Sequence, residues 1–83
     1  MLRIEKVFEI NDGIIVYLQK RGILKQYLSA KRDLLSGHFT SRDLKKRQPK
    51  SQEKWSFRIN KKYRAFGYFD ANDFIVVEIN DHQ

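Results

Sequence analysis

Two arginines and a histidine are the side chains of this sequence best equipped for chemistry. Arg58 sits in the run Trp55-Ser56-Phe57-Arg58-Ile59, Arg64 follows Tyr63, and His82 stands eighteen positions further on. Strand alternation sends Arg58 to the face opposite Trp55, Phe57 and Ile59, and gives Glu78, Asn80 and His82 a common face. Lysines and a further arginine flank them, at Lys45, Lys46, Arg47, Lys50, Lys54, Lys61 and Lys62. There is no obvious carboxylate pair and no glycine-rich phosphate loop, so the inventory suits a substrate that carries phosphodiesters. Cutting RNA without a metal requires removal of the 2′-hydroxyl proton, stabilisation of the charge on the phosphorane, and protonation of the 5′-oxygen. Arginines are suited to the second task through charge-assisted, often bidentate contacts. Histidine, whose ordinary pKa lies near neutrality, is suited to the third. Plainer readings stand beside these: Arg58 as a surface partner of Glu78, Arg64 as a solvated strand residue, and His82 as part of a terminal tail.

Positioning these groups falls to a short series of elements. Leu2, Ile4, Lys6 and Phe8 mark a period-2 strand. Asn11-Asp12-Gly13 breaks it, with Asp12 as the N-cap of a helix over Gly13–Arg21 whose Ile14, Tyr17 and Leu18 share a face. Gly22 ends that helix. A second helix spans Ile23–Ser36, with Leu24, Tyr27, Leu28, Leu34 and Leu35 as its apolar stripe, and Gly37 as its stop. Residues 38–53 are polar and irregular, a basic loop or short edge strand containing Pro49, the only proline. Trp55–Ile59, Tyr63–Phe69 and Phe74–Asn80 then alternate as three strands separated by the turns Asn60-Lys61-Lys62 and Ala71-Asn72-Asp73. The expected fold is α+β in the order β-α-α-β-β-β, with a mostly antiparallel four-stranded sheet packed on a helix pair, all in one domain covering residues 1–83.

Charge points the same way as the residue types. Seventeen Lys and Arg oppose ten Asp and Glu, a net charge of +7. Between Arg42 and Arg64 there are ten basic residues and two acids, a net of +8, so the rest of the chain is nearly neutral. Charge gathered in one segment is the footprint of a polyanion-binding surface more than of general solubility. No cysteine is present, which suits a reducing cytoplasm, and His38 and His82 alone make a poor structural zinc set. The first six residues alternate charged and apolar types and do not read as a signal peptide, and no apolar run approaches membrane-span length. The expected location is therefore cytoplasmic, with no membrane partner.

The run Trp55-Ser56-Phe57-Arg58-Ile59, then Tyr63-Arg64, two apolar strands and a near-terminal His82 resembles the RelE/ParE toxin superfamily, closest in pattern to its YoeB-type mRNA interferases. Asp43-Leu44-Lys45 resembles the Leu-Lys segment that precedes the central strands of that family. The resemblance implies a bacterial or archaeal toxin of a type II toxin–antitoxin system, a ribosome-dependent endoribonuclease that needs no metal or other cofactor. It implies that Arg64 contacts the scissile phosphate, that His82 is the general acid, and that Arg58 supports the phosphate. Lys45, Lys46, Arg47, Lys50, Lys54, Lys61, Lys62 and Gln83 would contact RNA. Its implied partners are the ribosome, mRNA and an acidic antitoxin, which the charge of +7 would steer. Two positions depart from the pattern. Arg42 stands where the family has a glutamate base, leaving Asp43 or Glu53 to substitute, and Gln83 stands where the family has a tyrosine. Two other functions share the fold: a ParE-like inhibitor of DNA gyrase, and an RNA-binding relative without catalysis. Whether Trp55 belongs to the core or forms a stacking platform also stays open, with alternation favouring the core.

Overall fold

Apolar residues three and four apart build two helices, and each ends where a glycine follows. The computed structural model describes residues 2–47 and 53–81. Helix α1 spans Gly13–Lys20 and α2 spans Leu24–Leu35. Gly22 (φ +69°) and Gly37 (φ +84°) take the left-handed conformation just beyond them. The amide of Ile23 donates to the Leu18 carbonyl and that of Gly22 to Gln19; His38 to Asp33 and Gly37 to Leu34 repeat the pattern. These paired bonds satisfy carbonyls that a helix C-terminus otherwise leaves open. Asp12 holds the N-cap position, as expected, but it lies in helical conformation and its side chain makes no bond to the helix start. Asn11 takes that part, with its Oδ1 accepting from the Gly13 amide at 2.9 Å.

Among the described residues, five strands form one sheet in the order β1-β5-β4-β3-β2. They are β1 Lys6–Glu9, β2 Lys45–Lys46, β3 Trp55–Arg58, β4 Arg64–Asp70 and β5 Asp73–Asn80, with a single 3₁₀ turn at Thr40–Arg42 before β2. Among the described residues, only the β1–β5 pair is parallel; β2–β3, β3–β4 and β4–β5 are antiparallel. The α+β class and the helix pair are as expected, and β2, one of the two expectations for the polar segment, makes a fifth strand. A bulge at Phe66/Gly67 shifts the β4–β5 register, so that Phe66 faces Glu78 and Gly67 faces Val76.

The helices cover one face of the sheet. Leu18, Tyr27, Ala30, Leu34, Phe57, Ala65, Phe74 and Val76 have no exposed surface there. Rings run through this core in sequence: Tyr27 lies 6.3 Å from Phe57, Phe57 5.6 Å from Phe74, Phe74 5.2 Å from Phe69, and Phe69 5.1 Å from Trp55. Trp55 is thus the half-buried outer end of the core, packed edge-on rather than presented to solvent as a platform. Two apolar patterns differ from expectation. In the first strand Val7 is buried and Phe8 is 45% exposed, because a bend at Glu5 lets Ile4 and Val7, three apart, both face inward. On α2 the buried line is Tyr27, Ala30 and Leu34, and Leu28 and Leu35 each lie one residue, about 100°, off it and are exposed. No described helix is long and apolar enough to cross a membrane.

Candidate nucleic-acid interface

No helix of the described residues covers the other face of the sheet, and there the sequence places cations. Register partners share a face, so Arg58, Arg64 and Asn80 form one row across β3, β4 and β5. Lys45, Ser56, Phe66 and Glu78 form the adjacent row across β2 to β5. Arg58 therefore points away from Phe57 and Ile59, as alternation requires.

Arg64 is buried on this face, at 2% exposure. A buried guanidinium is costly unless its donors are matched, and Arg64 is matched four times. Its Nε and Nη2 donate to Ser56 Oγ at 3.2 and 2.9 Å. A second Nη2 bond reaches the Asp43 carbonyl at 2.8 Å, and Nη1 reaches Asp43 Oδ2 at 2.9 Å. Arg64 is not the solvated strand residue of the plainer reading. Asp43 can bring both its carboxylate and its carbonyl to one guanidinium because it caps the 3₁₀ turn in the left-handed conformation (φ 49°, ψ 46°), which Asp tolerates better than most residues.

Asp43 is the hub of the site. Besides Arg64, its Oδ2 lies 3.5 Å from Lys45 Nζ and 3.6 Å from Arg58 Nη2. Arg58 pairs with Asp43 and not with Glu78, which takes Lys54 at 3.6 Å. Burial pushes the Asp43 carboxyl pKa up, but the hydrogen bond and charge of Arg64, followed by Lys45 and Arg58, outweigh it and hold the group below the usual aspartate range. Burial likewise pulls the Arg64 pKa down, Asp43 opposes this, and Arg47 and Arg58 add to the lowering. The centre thus holds one ionised carboxylate among more cations than it can neutralise.

Beside this hub, Phe66 is 5% exposed on the helix-free face. Arg47 and Lys54 lie over its ring at 5.4 and 5.3 Å. The Arg47 amide donates to the Lys54 carbonyl at 2.6 Å, extending the β2–β3 ladder. Lys46 pairs with the exposed Glu53 at 3.1 Å. Lys61 and Lys62 occupy the turn beyond the Arg58–Arg64 pair, where Asn60 Oδ1 accepts from the amides of Lys62 and Tyr63. Of the expected site residues, the fold therefore brings together Arg58, Arg64 and Lys45 directly, with Arg47 and Lys54 alongside. Lys50, His82 and Gln83 lie outside the described residues.

Ser56 and Arg42 were not expected from the sequence as the framework of the site, and Asp43 was expected there only as a candidate base. Ser56 lies on the strand face opposite Phe57, a position that alternation marks but to which it assigns no partner. Asp43 is the lone acid between Asp33 and Glu53, a signal that was present. Arg42, counted in the basic run, is an internal clamp: it donates to Asp33 Oδ2 at 2.8 Å, Ser29 Oγ at 3.1 Å and the Ile59 carbonyl at 3.1 Å, tying α2 to the end of β3. This bond set fixes the turn on which Asp43 sits. No protein-family model matches the chain, and no curated protein matches it.

Proposed function

We propose that this chain is a RelE/ParE-like cytoplasmic toxin, an endoribonuclease that cleaves mRNA on the ribosome without a metal and is held in check by an acidic antitoxin. The observation that carries the reading is the row Arg58–Arg64–Asn80 beside the carboxylate of Asp43 on a predominantly cationic sheet face. Asn80 is the register partner of Arg64 and precedes His82 by two residues.

In this mechanism Arg58 and Lys45 bind the scissile phosphate, and Arg64 fixes Asp43 and adds its charge to the phosphorane. Asp43, nearest the arginines, is the candidate base in place of the glutamate that the family resemblance implies. Glu53, 73% exposed and paired with Lys46, is the poorer choice. The base takes the 2′-hydroxyl proton, the 2′-oxygen attacks phosphorus, and the P–O5′ bond breaks as His82 protonates the departing oxygen. The products are a 2′,3′-cyclic phosphate and a 5′-hydroxyl end.

A second reading has an observation of its own. Four hydrogen bonds engage Arg64 within the protein, which suits a structural arginine in an RNA-binding module that does not cut. Induced expression with primer extension on a cellular mRNA, comparing wild type with His82→Ala, separates the two. Growth arrest with new cuts, both lost in the variant, is the expected result. Arrest without cuts would instead favour a gyrase-type poison, and absence of arrest a binding protein.

A further inference from the structure

The one carboxylate at the centre of the cationic face stands where an anionic ligand would have to go. Arg64, Lys45 and Arg58 converge on a single oxygen, Asp43 Oδ2, at 2.9, 3.5 and 3.6 Å. A phosphate oxygen draws the same set of partners. The three contacts are unequal. The side chain of Arg64 is 3% exposed, and it is anchored independently of the carboxylate by Ser56 Oγ and the Asp43 carbonyl. Lys45 and Arg58 are about half exposed, at 49% and 47%, and their contacts are longer than hydrogen bonds. Exposed pairs of this kind are weak and exchange readily with other ions. Asp43 itself is 36% exposed at the side chain, so rotation about its χ1 moves the carboxylate while the backbone carbonyl keeps Arg64 in place.

We propose that Asp43 is a built-in occupant of the phosphate site: a phosphodiester oxygen of RNA enters by displacing the Asp43 carboxylate from Lys45 and Arg58. The identity of the ligand rests on the RNA-cleaving reading above; the competition itself rests on the geometry. Two consequences follow from one displacement. Binding is weakened by the competing carboxylate, so short or poorly held RNA is excluded. The displaced carboxylate, relieved of its cations, becomes a stronger proton acceptor only once substrate is seated.

The test measures affinity, not cleavage, by fluorescence anisotropy with a 2′-O-methyl RNA oligonucleotide that cannot be cut. Asp43→Asn removes the charge, keeps an Oδ acceptor for Arg64 and tolerates the left-handed backbone. It should bind about tenfold tighter than wild type, as expected when a like charge is removed a few ångströms from a phosphate. Glu78→Gln makes the same change of net charge on the same face, away from Arg64, and should gain less than about twofold. Adding Arg58→Ala to Asp43→Asn should abolish the gain. Equal gains for the two single variants, or no gain for Asp43→Asn, would overturn the proposal. Should Asp43→Asn fail to fold, inorganic phosphate is titrated into wild type while the carboxyl ¹³C resonance of Asp43 is followed. A shift toward free aspartate is expected, and an unmoved resonance overturns the proposal. Tighter binding by the variant with no cleavage by wild type would sink the nuclease reading alone. Cleavage by wild type with no gain in the variant would sink this inference alone.

Discussion

The two faces of the sheet are both buried around β3 and β4, yet different forces bury them. On the helix side, Phe57, Ala65, Phe74 and Val76 are enclosed by apolar neighbours. On the other, Ser56, Arg64 and Phe66 are enclosed by polar and charged ones, namely Asp43, Arg47 and Lys54. Apolar burial is non-directional and tolerant of pH and salt. The polar cluster depends on donors meeting acceptors at hydrogen-bond distance, and it fails when one member is removed. The first face makes the fold stable. The second trades some of that robustness for a charged surface held at fixed geometry, which is what recognition of a phosphate needs.

The comparison can be broken first on its apolar side. Phe57 has no exposed surface and touches the rings of Tyr27 and Phe74. Phe57→Ala should cost about 3–5 kcal/mol in urea unfolding, a large part of what a domain of this size has. The loss should be the same at low and high salt.

Arg64→Met probes the other face with a side chain of similar length. It leaves Ser56 buried and Asp43 without its closest partner. Removal of one member of a fully buried pair costs about 3–5 kcal/mol. Here Asp43 is 36% exposed and can be rehydrated, so the expected loss is about 1–3 kcal/mol. Arg64→Lys should not restore stability, because one ammonium cannot span Ser56 Oγ, the Asp43 carbonyl and Asp43 Oδ2 together. A full rescue by lysine would show that charge, not the guanidinium fork, holds this face.

The smallest effect is in pH, and it has opposite signs for the two faces. Asp43 has a depressed pKa in the folded protein, so its contribution is fully present above the ordinary aspartate value and is lost as pH falls through the lower folded value. Acid unfolding below about pH 4 should therefore be less steep in Asp43→Asn. Tyr27 lies on the apolar side, where burial, then the hydrogen bond and charge of Glu9, push its pKa well above the ordinary value. Its contribution is intact below about pH 10 and lost above it, because the unfolded chain ionises where the native one does not. Tyr27→Phe should flatten the alkaline limb.

What the amino-acid sequence determined by itself is what depends on near neighbours. Helix boundaries fell within a residue of expectation, at Gly13–Lys20 and Leu24–Leu35, because periodicity and a following glycine are local signals. The three alternating strands and the outward aim of Arg58 follow from a two-residue repeat. Tertiary structure decided which polar groups are buried. Arg64 finds Ser56 eight positions away and Asp43 twenty-one positions away, and Arg42 finds Ile59 seventeen positions away. No local pattern distinguishes a lysine or arginine that will remain solvated from one whose donors will be matched across such separations. That distinction arises only when the sheet closes, since a buried charge is tolerated only where distant acceptors arrive together. The same applies to Leu28 and Leu35, which are apolar in sequence and exposed in the fold because the helix face was set by what Tyr27, Ala30 and Leu34 met.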